Sequence, residues 1–288
     1  MNGFYNVIKP IGWTSSDLVV KIRGILRKRT GNKVKIGHLG TLDPLATGVL
    51  GVAVGSATKL FDHFLTKRKT YIATCVLGKS TDTLDSAGQV TEVAPVPILS
   101  DDDLREALSR FRGEISQIPP LYSAKSVDGT RAYRLASKGV EIVLKPCTVT
   151  IYSIELLSRE SNDAFRFLVE CSGGTYIRSL CRDLGMALGL PAYMSALERT
   201  RNGMMRVEDA VTLERIEADI SDGFVTLETF GKTLETADFS EEYRFKFDNG
   251  VKQPSSLPNG LVRVIVGGGF YGIGQVADGE IRMIARDL

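Results

Sequence analysis

The sequence predicts a mixed helix-and-strand protein with one large N-terminal domain and a small C-terminal β domain. Three observations carry this reading. The chain has 288 residues, 43% of them apolar and 24% charged, enough to bury one sizeable core and a second small one. Over most of the length, short apolar or alternating runs are interleaved with stretches of helical period. From Phe247 to Met283 the turn pairs Asn249-Gly250, Asn259-Gly260 and Asp278-Gly279 separate short apolar runs, the pattern of successive hairpins.

Gly3 to Ile8 reads as a strand stopped by Pro10 and Gly12. Thr14-Ser15-Ser16-Asp17 then supplies N-cap side chains, and Leu18, Val19, Ile22, Ile25 and Leu26 recur at helical spacing as far as Gly31. Lys21, Arg23, Arg27, Lys28 and Arg29 make the other face of that helix a basic rim. The stretch that follows, GHLGTLDPLATGVLGVAVGSATK from Gly37 to Lys59, contains one acid, Asp43. Pro44 biases Asp43 away from the helical region and the glycines free the backbone around it, so the loop presents a single carboxylate ahead of a buried strand, Val49 to Val54. On composition alone, a turn-capping role for Asp43 fits equally well.

Ala57 to Leu65 reads as a short helix, and Lys69 to Gly78 as an alternating strand with Tyr71, Ala73 and Cys75 on one face. Thr81 to Gly88 has the composition of an Asx-rich loop, and Asp101 to Arg112 that of a helix with acids in its first turn. The excursion from Pro119 to Gly139 carries Tyr122, Lys125, Arg131, Tyr133, Arg134 and Lys138. It reads either as an arm that lies along an RNA backbone or as an ordinary surface helix. Two strand-like runs follow, Cys147 to Leu157 and Phe165 to Cys171, and Gly173-Gly174-Thr175-Tyr176 opens a helix through Leu188. Glu208 to Glu235 reads as helical and solvated, and Thr236 to Ser240 as a linker, dividing a domain of residues 1–237 from one of residues 238–288.

A net charge of +2 conceals a polarised chain. Residues 1–70 carry twelve Lys/Arg against three acids, a net +9, whereas residues 207–240 carry two against nine, a net −7. A one-sided basic field suits a polyanion, with nucleic acid the first candidate. Cys75, Cys147, Cys171 and Cys181 are scattered, with only His38 and His63 as histidines, which fits neither a disulfide framework nor a zinc site. No basic-then-apolar leader opens MNGFYNVIKP, and no window approaches 18 apolar residues, so a cytoplasmic protein without membrane contact is expected. Gly267 to Gly272 matches G-x-G-x-x-G, but it lies near the C-terminus with no room for a βαβ unit, which argues against a dinucleotide site.

Six motifs in order carry a resemblance. They are Asn6-Val7-Ile8-Lys9-Pro10-x-Gly12-x-Thr14-Ser15; Gly37-His38-x-Gly40-Thr41-Leu42-Asp43-Pro44-Leu45-Ala46-Thr47-Gly48 with Ala57-Thr58-Lys59; and Lys69-x-Tyr71 with Thr81-Asp82-Thr83-x-Asp85. Then come Pro119-Pro120-x-Tyr122-Ser123-Ala124-Lys125 with Gly129-x-Arg131-Ala132-Tyr133; Gly174-Thr175-Tyr176-Ile177-Arg178 through Gly185; and Leu197-x-Arg199-Thr200-x-x-Gly203. Together they closely resemble the TruB-type tRNA pseudouridine synthases over residues 1–215, in the stand-alone bacterial form. Phe247-x-Asn249-Gly250 and Phe270-x-Gly272-x-Gly274 resemble a reduced PUA-type RNA-binding domain.

The resemblance implies an α+β fold on a bent, mixed and largely antiparallel sheet with a cleft across its middle. It implies isomerisation of a uridine in the T-arm of tRNA, position 55 in tRNA numbering, by a monomer that needs no cofactor and no metal. Residue by residue, it implies Asp43 as catalytic carboxylate, Tyr71 as the ring stacked on the target base and Arg178 as the partner of Asp43. Leu197 becomes an apolar wall, Asp85 a polar contact and His38 a wedge at the displaced nucleotide. Lys9 and Lys59 become supporting cations, and Lys125 and Arg131 part of an RNA-gripping arm. The residue types suit the chemistry, because the base must leave the stack and an unprotonated group must stand beside the sugar. Two other readings stand beside this one: a non-catalytic RNA-binding module, and a sugar or nucleoside hydrolase in which Asp43 and Asp85 form an acid/base pair.

Overall fold

The computed structural model describes residues 1–65, 67–123, 125–127, 129–132, 135 and 142–287, with only the backbone of Ser126, Val127 and Arg131. Tyr133, Arg134 and Lys138 of the expected arm lie outside the described residues. Strand β1 (Gly3–Lys9) leads to helix α1 (Ser15–Thr30). Thr14 and Asp17 close its first turn as a reciprocal capping box, and Gly31 ends it at φ 73°. Strands β2 (Ile36–His38) and β3 (Thr47–Val54) flank the Asp43 loop. A 3-10 turn (Gly55–Leu60) and α2 (Phe61–Leu65) lead into β4 (Lys69–Leu77), whose alternate residues are buried as its period predicts.

The short ribbon β5 (Lys79–Thr81) and β6 (Val90–Val93) holds the Asx-rich loop at its turn. There follow α3 (Asp101–Ser109), β7 (Gly113–Gln117), the hairpin β8 (Ser126–Val127) with β9 (Thr130–Arg131), β10 (Cys147–Arg159), β11 (Ala164–Cys171) and α4 (Ile177–Ala187). The catalytic-side half closes with β12 (Ala192–Asn202), β13 (Met205–Arg206), α5 (Leu213–Ala218), β14 (Phe224–Thr226) and α6 (Leu227–Gly231).

One sheet of ten strands runs β14-β1-β3-β12-β4-β11-β10-β7, with β2 added to β3 and β13 to β12. Every pairing is antiparallel except β3 with β12, where Thr47 and Gly48 face Glu198 and Arg199 in parallel register. That junction joins the two halves of the sheet, so the end of the Asp43 loop is stitched to a strand from 150 residues later. Helices α1, α3 and α4 cover one face and bury Leu18, Ile22, Leu26, Leu104, Leu180 and Leu184 against Val7, Leu50, Val52 and Cys75. Each fully buried aliphatic side chain of this kind contributes about 1.5–3 kcal/mol relative to exposure.

The C-terminal sheet runs β15-β17-β18-β19-β16, from β15 (Thr236–Phe239), β16 (Gln253–Pro254), β17 (Gly260–Val266), β18 (Gly269–Ala277) and β19 (Glu280–Arg286), with α7 (Tyr243–Asp248) between the first two. Thr236 to Phe239 is therefore a strand and the stretch to Ser240 is not a linker: β15 pairs in parallel with β17, so a boundary at 237/238 cuts through a strand. Glu208 to Glu235 is likewise not one helix. It breaks into a 3-10 turn, α5, β14 and α6, because Phe224 to Thr226 finds a free sheet edge on β1. Of the three turn pairs only Asp278-Gly279 closes a hairpin, both residues having positive φ; Asn249-Gly250 ends α7 instead. Gly267 and Gly268 form the other such turn, between β17 and β18.

Candidate active site

Arg178, the second residue of α4, is 5% exposed and gathers three separate chain segments. Its Nε lies 2.8 Å from Asp43 Oδ2 and its Nη2 donates to Asp43 Oδ1 at 3.0 Å, a two-point clamp on the carboxylate. Nη2 also donates to the Tyr122 carbonyl at 2.9 Å, and Nη1 to the Thr83 carbonyl at 3.0 Å. Asp85 Oδ2 stands 3.4 Å from Nη1, while its Oδ1 accepts from the Thr83 hydroxyl at 2.6 Å and the Ala87 N–H at 3.0 Å. Leu84, at φ 60°, makes the tight corner that turns Asp85 inward. One guanidinium thus ties together the Asp43 loop, the Asx-rich loop and the root of the expected arm.

The Asp43 side chain keeps 30% of its surface exposed, so it is reachable from solvent although its partner Arg178 is buried. Burial pushes its carboxyl above the ordinary carboxylate range. Arg178 pulls against that, the Asp85 charge adds to it, and Lys9 opposes it from further off. Burial prevails: Arg178 limits the rise in the Asp43 pKa without cancelling it.

The loop is held by backbone contacts to buried side chains. Lys9, fully buried, donates to the carbonyls of Pro10 and Trp13 at 2.7 Å and of Pro44 at 3.3 Å. Burial brings its ammonium down to about 8, with Asp43 pulling the other way. The Ser15 hydroxyl donates to the Leu42 carbonyl and accepts from the Leu42 N–H, and Asn202 donates to the Leu39 carbonyl at 3.1 Å. Arg199 donates to the carbonyls of Val49, Gly40 and Thr41 at 2.8, 3.1 and 3.2 Å. Ser15, Arg199 and Asn202 escaped the sequence reading as site residues. Arg199 lies inside a quoted motif, but nothing in its spacing reveals that its partners are carbonyls.

Tyr71 on β4 is 6% exposed and faces Arg199 across the β4–β12 register. Burial raises its phenol pKa, and the charge of Arg199 pulls it back. Leu197, 7% exposed, sits on the neighbouring strand opposite Ala73. His38 is half-buried on β2 with an unpartnered Nδ1, and burial together with Arg199 keeps its imidazole neutral. Lys59 does not join the cluster. It is exposed on the turn beyond β3, at the opposite end of that strand from Asp43, about 23 Å along at ~3.3 Å per residue. Lys125 donates to the Lys145 carbonyl at 3.2 Å, and the backbone of Arg131 pairs with Ser126.

Residues 27–177 match the TruB family pseudouridylate synthase N-terminal domain, and residues 178–236 match the tRNA pseudouridylate synthase B C-terminal domain. The tRNA pseudouridine synthase B of Caldanaerobacter subterraneus subsp. tengcongensis is 40% identical over 285 residues, 97% of this chain and 96% of the relative. That of Pseudomonas syringae pv. syringae is 42% identical over 295 residues, 98% of this chain and 94% of the relative. Among solved structures, a chain in the crystal structure of a Cbf5-Nop10-Gar1 complex is 26% identical with a TM-score of 0.69, covering 99% of this chain and 83% of that chain. Sheet and relatives together define a uridine-isomerising enzyme of the pseudouridine synthase class. The chain belongs to the TruB family of tRNA pseudouridine synthases. Among the described residues no helix is long and apolar enough to cross a membrane.

Proposed function

We propose that the chain converts the uridine at position 55 in the T-arm of tRNA to pseudouridine, with Asp43 as the catalytic carboxylate. The observation that carries this is the two-point contact of buried Arg178 with a partly exposed carboxylate. The reaction breaks N1–C1′, turns the uracil over and joins C5 to C1′. The C5 proton leaves and N1 gains one, so no atom or electron is gained overall. Asp43 in its ionised form stands beside the ribose of a flipped nucleotide, Tyr71 and Leu197 bound the base, Asp85 meets a polar edge, and His38 fills the vacated stack. Lys9 acts through the Pro44 carbonyl as a support for the loop. Lys59, Lys125 and Arg131 are assigned to the tRNA backbone and not to chemistry, and residues 238–288 to RNA binding as a PUA-like extension. The active species is a monomer.

The test is turnover of the full-length protein on a T-arm stem-loop carrying uridine or cytidine at the target, with the product nucleoside mapped by position. Pseudouridine at position 55 from uridine alone is expected. Free uracil would favour hydrolysis, and modification elsewhere would refute the T-arm assignment.

A further inference from the structure

Arg199 is among the largest side chains that the fold buries completely, at 1% exposure. Among the described residues no carboxylate lies within ion-pair distance of it. Its charge is met by backbone dipoles: Val49 accepts at Nε, Thr41 at Nη1 and Gly40 at Nη2. The first carbonyl belongs to the strand after Asp43, and the other two belong to the loop two and three residues before it. Across the β4–β12 pairing, Arg199 stands opposite Tyr71, and its charge acts on the Tyr71 phenol. Its own backbone is equally committed, because Gly48 runs beside it so closely that an added Cβ would stand 2.3 Å from the Arg199 carbonyl oxygen. A buried cation without an acidic partner is costly to keep. The arrangement fixes both flanks of the Asp43 loop with one planar group on the strand that pairs with Tyr71, a geometry that a lysine ammonium cannot reproduce.

We propose that Arg199 is a positioning residue for the isomerisation, holding the Asp43 loop in register with the strand that carries Tyr71 so that carboxylate and ring keep their spacing as the flipped uridine enters. This rests on the assignment of Asp43 and Tyr71 made above. It gives the buried charge a task beyond filling space, since an apolar residue of the same volume would leave those loop carbonyls without this donor. Besides Arg199, the titratable groups that act on the Tyr71 phenol are Cys171 and Asp43.

The test uses full-length protein with Arg199→Lys and Arg199→Met, read by single-turnover pseudouridine formation, tRNA dissociation constant, melting temperature and titration of the Tyr71 phenol by carbon-13 tyrosine NMR, assigned with Tyr71→Phe. Displacing the loop by about an ångström is expected to slow Arg199→Met about 100-fold while tRNA affinity stays within about threefold. Arg199→Lys should recover about tenfold over Arg199→Met yet remain below wild type, because it keeps the charge and loses the fork. In Arg199→Met the Tyr71 phenol should titrate at higher pH, a change that loss of packing alone does not produce. A folded Arg199→Lys with the wild-type rate would overturn the proposal. So would parallel loss of rate, affinity and melting temperature in both variants, because Arg199 would then serve the fold. An inactive wild type would fail the functional assignment instead, which separates the two failures.

Discussion

At Asp43, burial and ion pairing act in opposite directions on one carboxyl group, and burial is the larger. If the ionised form is the working form, activity is present above the pKa and lost as pH falls through it. The acid limb of kcat/KM is therefore expected above about 4, the ordinary aspartate value. Removing the clamp with Arg178→Leu takes away the attraction that holds the pKa down, so the limb should move to higher pH. A pH profile of both proteins checks this, and an unmoved or lowered limb would contradict it. The pairing itself, across 135 residues of chain, was legible only because the motifs around both residues resemble one family. Spacing alone says nothing about which distant cation reaches a carboxylate. Arg199 was illegible for a related reason: charged residues are read as surface unless paired with an acid, and its partners are carbonyls that any sequence possesses.

Strand β12 is the element that makes the site, because it pairs with β3 on one side and β4 on the other and so sets Asp43 and Tyr71 in one frame. Its sequence, Ala192 to Asn202, mixes Ser, Glu, Arg and Thr with apolar residues and carries two register shifts, which hides a clean two-residue period. The strands and helices with a clear period, β1, α1, β4, β10 and β11, were readable. Those fixed by a distant partner, β12, β14 and β15, were not, since a strand edge offered elsewhere in the chain leaves no local mark. Gly48 tests the β3–β12 junction. At φ 94° and with the Arg199 backbone against it, Gly48→Ala should cost at least the ~1–3 kcal/mol of a strained backbone. Calorimetry should show a fall of several degrees in melting temperature together with reduced turnover. An unchanged melting temperature would remove the junction from the account.

Across the whole molecule, the two poles of charge seen in the sequence meet in space. Lys21 lies 3.3 Å from Glu217, and Arg29 donates to the carbonyls of Glu217 and Ala218, so α5 answers part of the basic rim of α1. The remaining cations, Arg27 and Lys28 among them, stay exposed. Binding of tRNA should weaken linearly in log–log with salt, at about 0.9 per phosphate contacted on duplex. Charge reversal at Arg27 and Lys28 should flatten that slope without changing single-turnover rate at saturation; an unchanged slope would place the RNA on another face. The C-terminal sheet is no loose appendage. Ile273 and Ala285 from β18 and β19 pack in one cluster with Phe4, Phe64 and Phe230 of the larger half. Truncation after Glu235 should therefore expose that cluster and lower the melting temperature of what remains, and a truncated protein as stable as the full chain would show the sheets to be independent.

The most direct measurement is single-turnover conversion of uridine in tRNA by Asp43→Asn beside wild type, with binding followed in the same samples. Pseudouridine formation should disappear while tRNA is still bound within about tenfold, the carboxylate being asked for transition-state stabilisation more than for affinity. Product formed by Asp43→Asn at the wild-type rate would contradict the central claim.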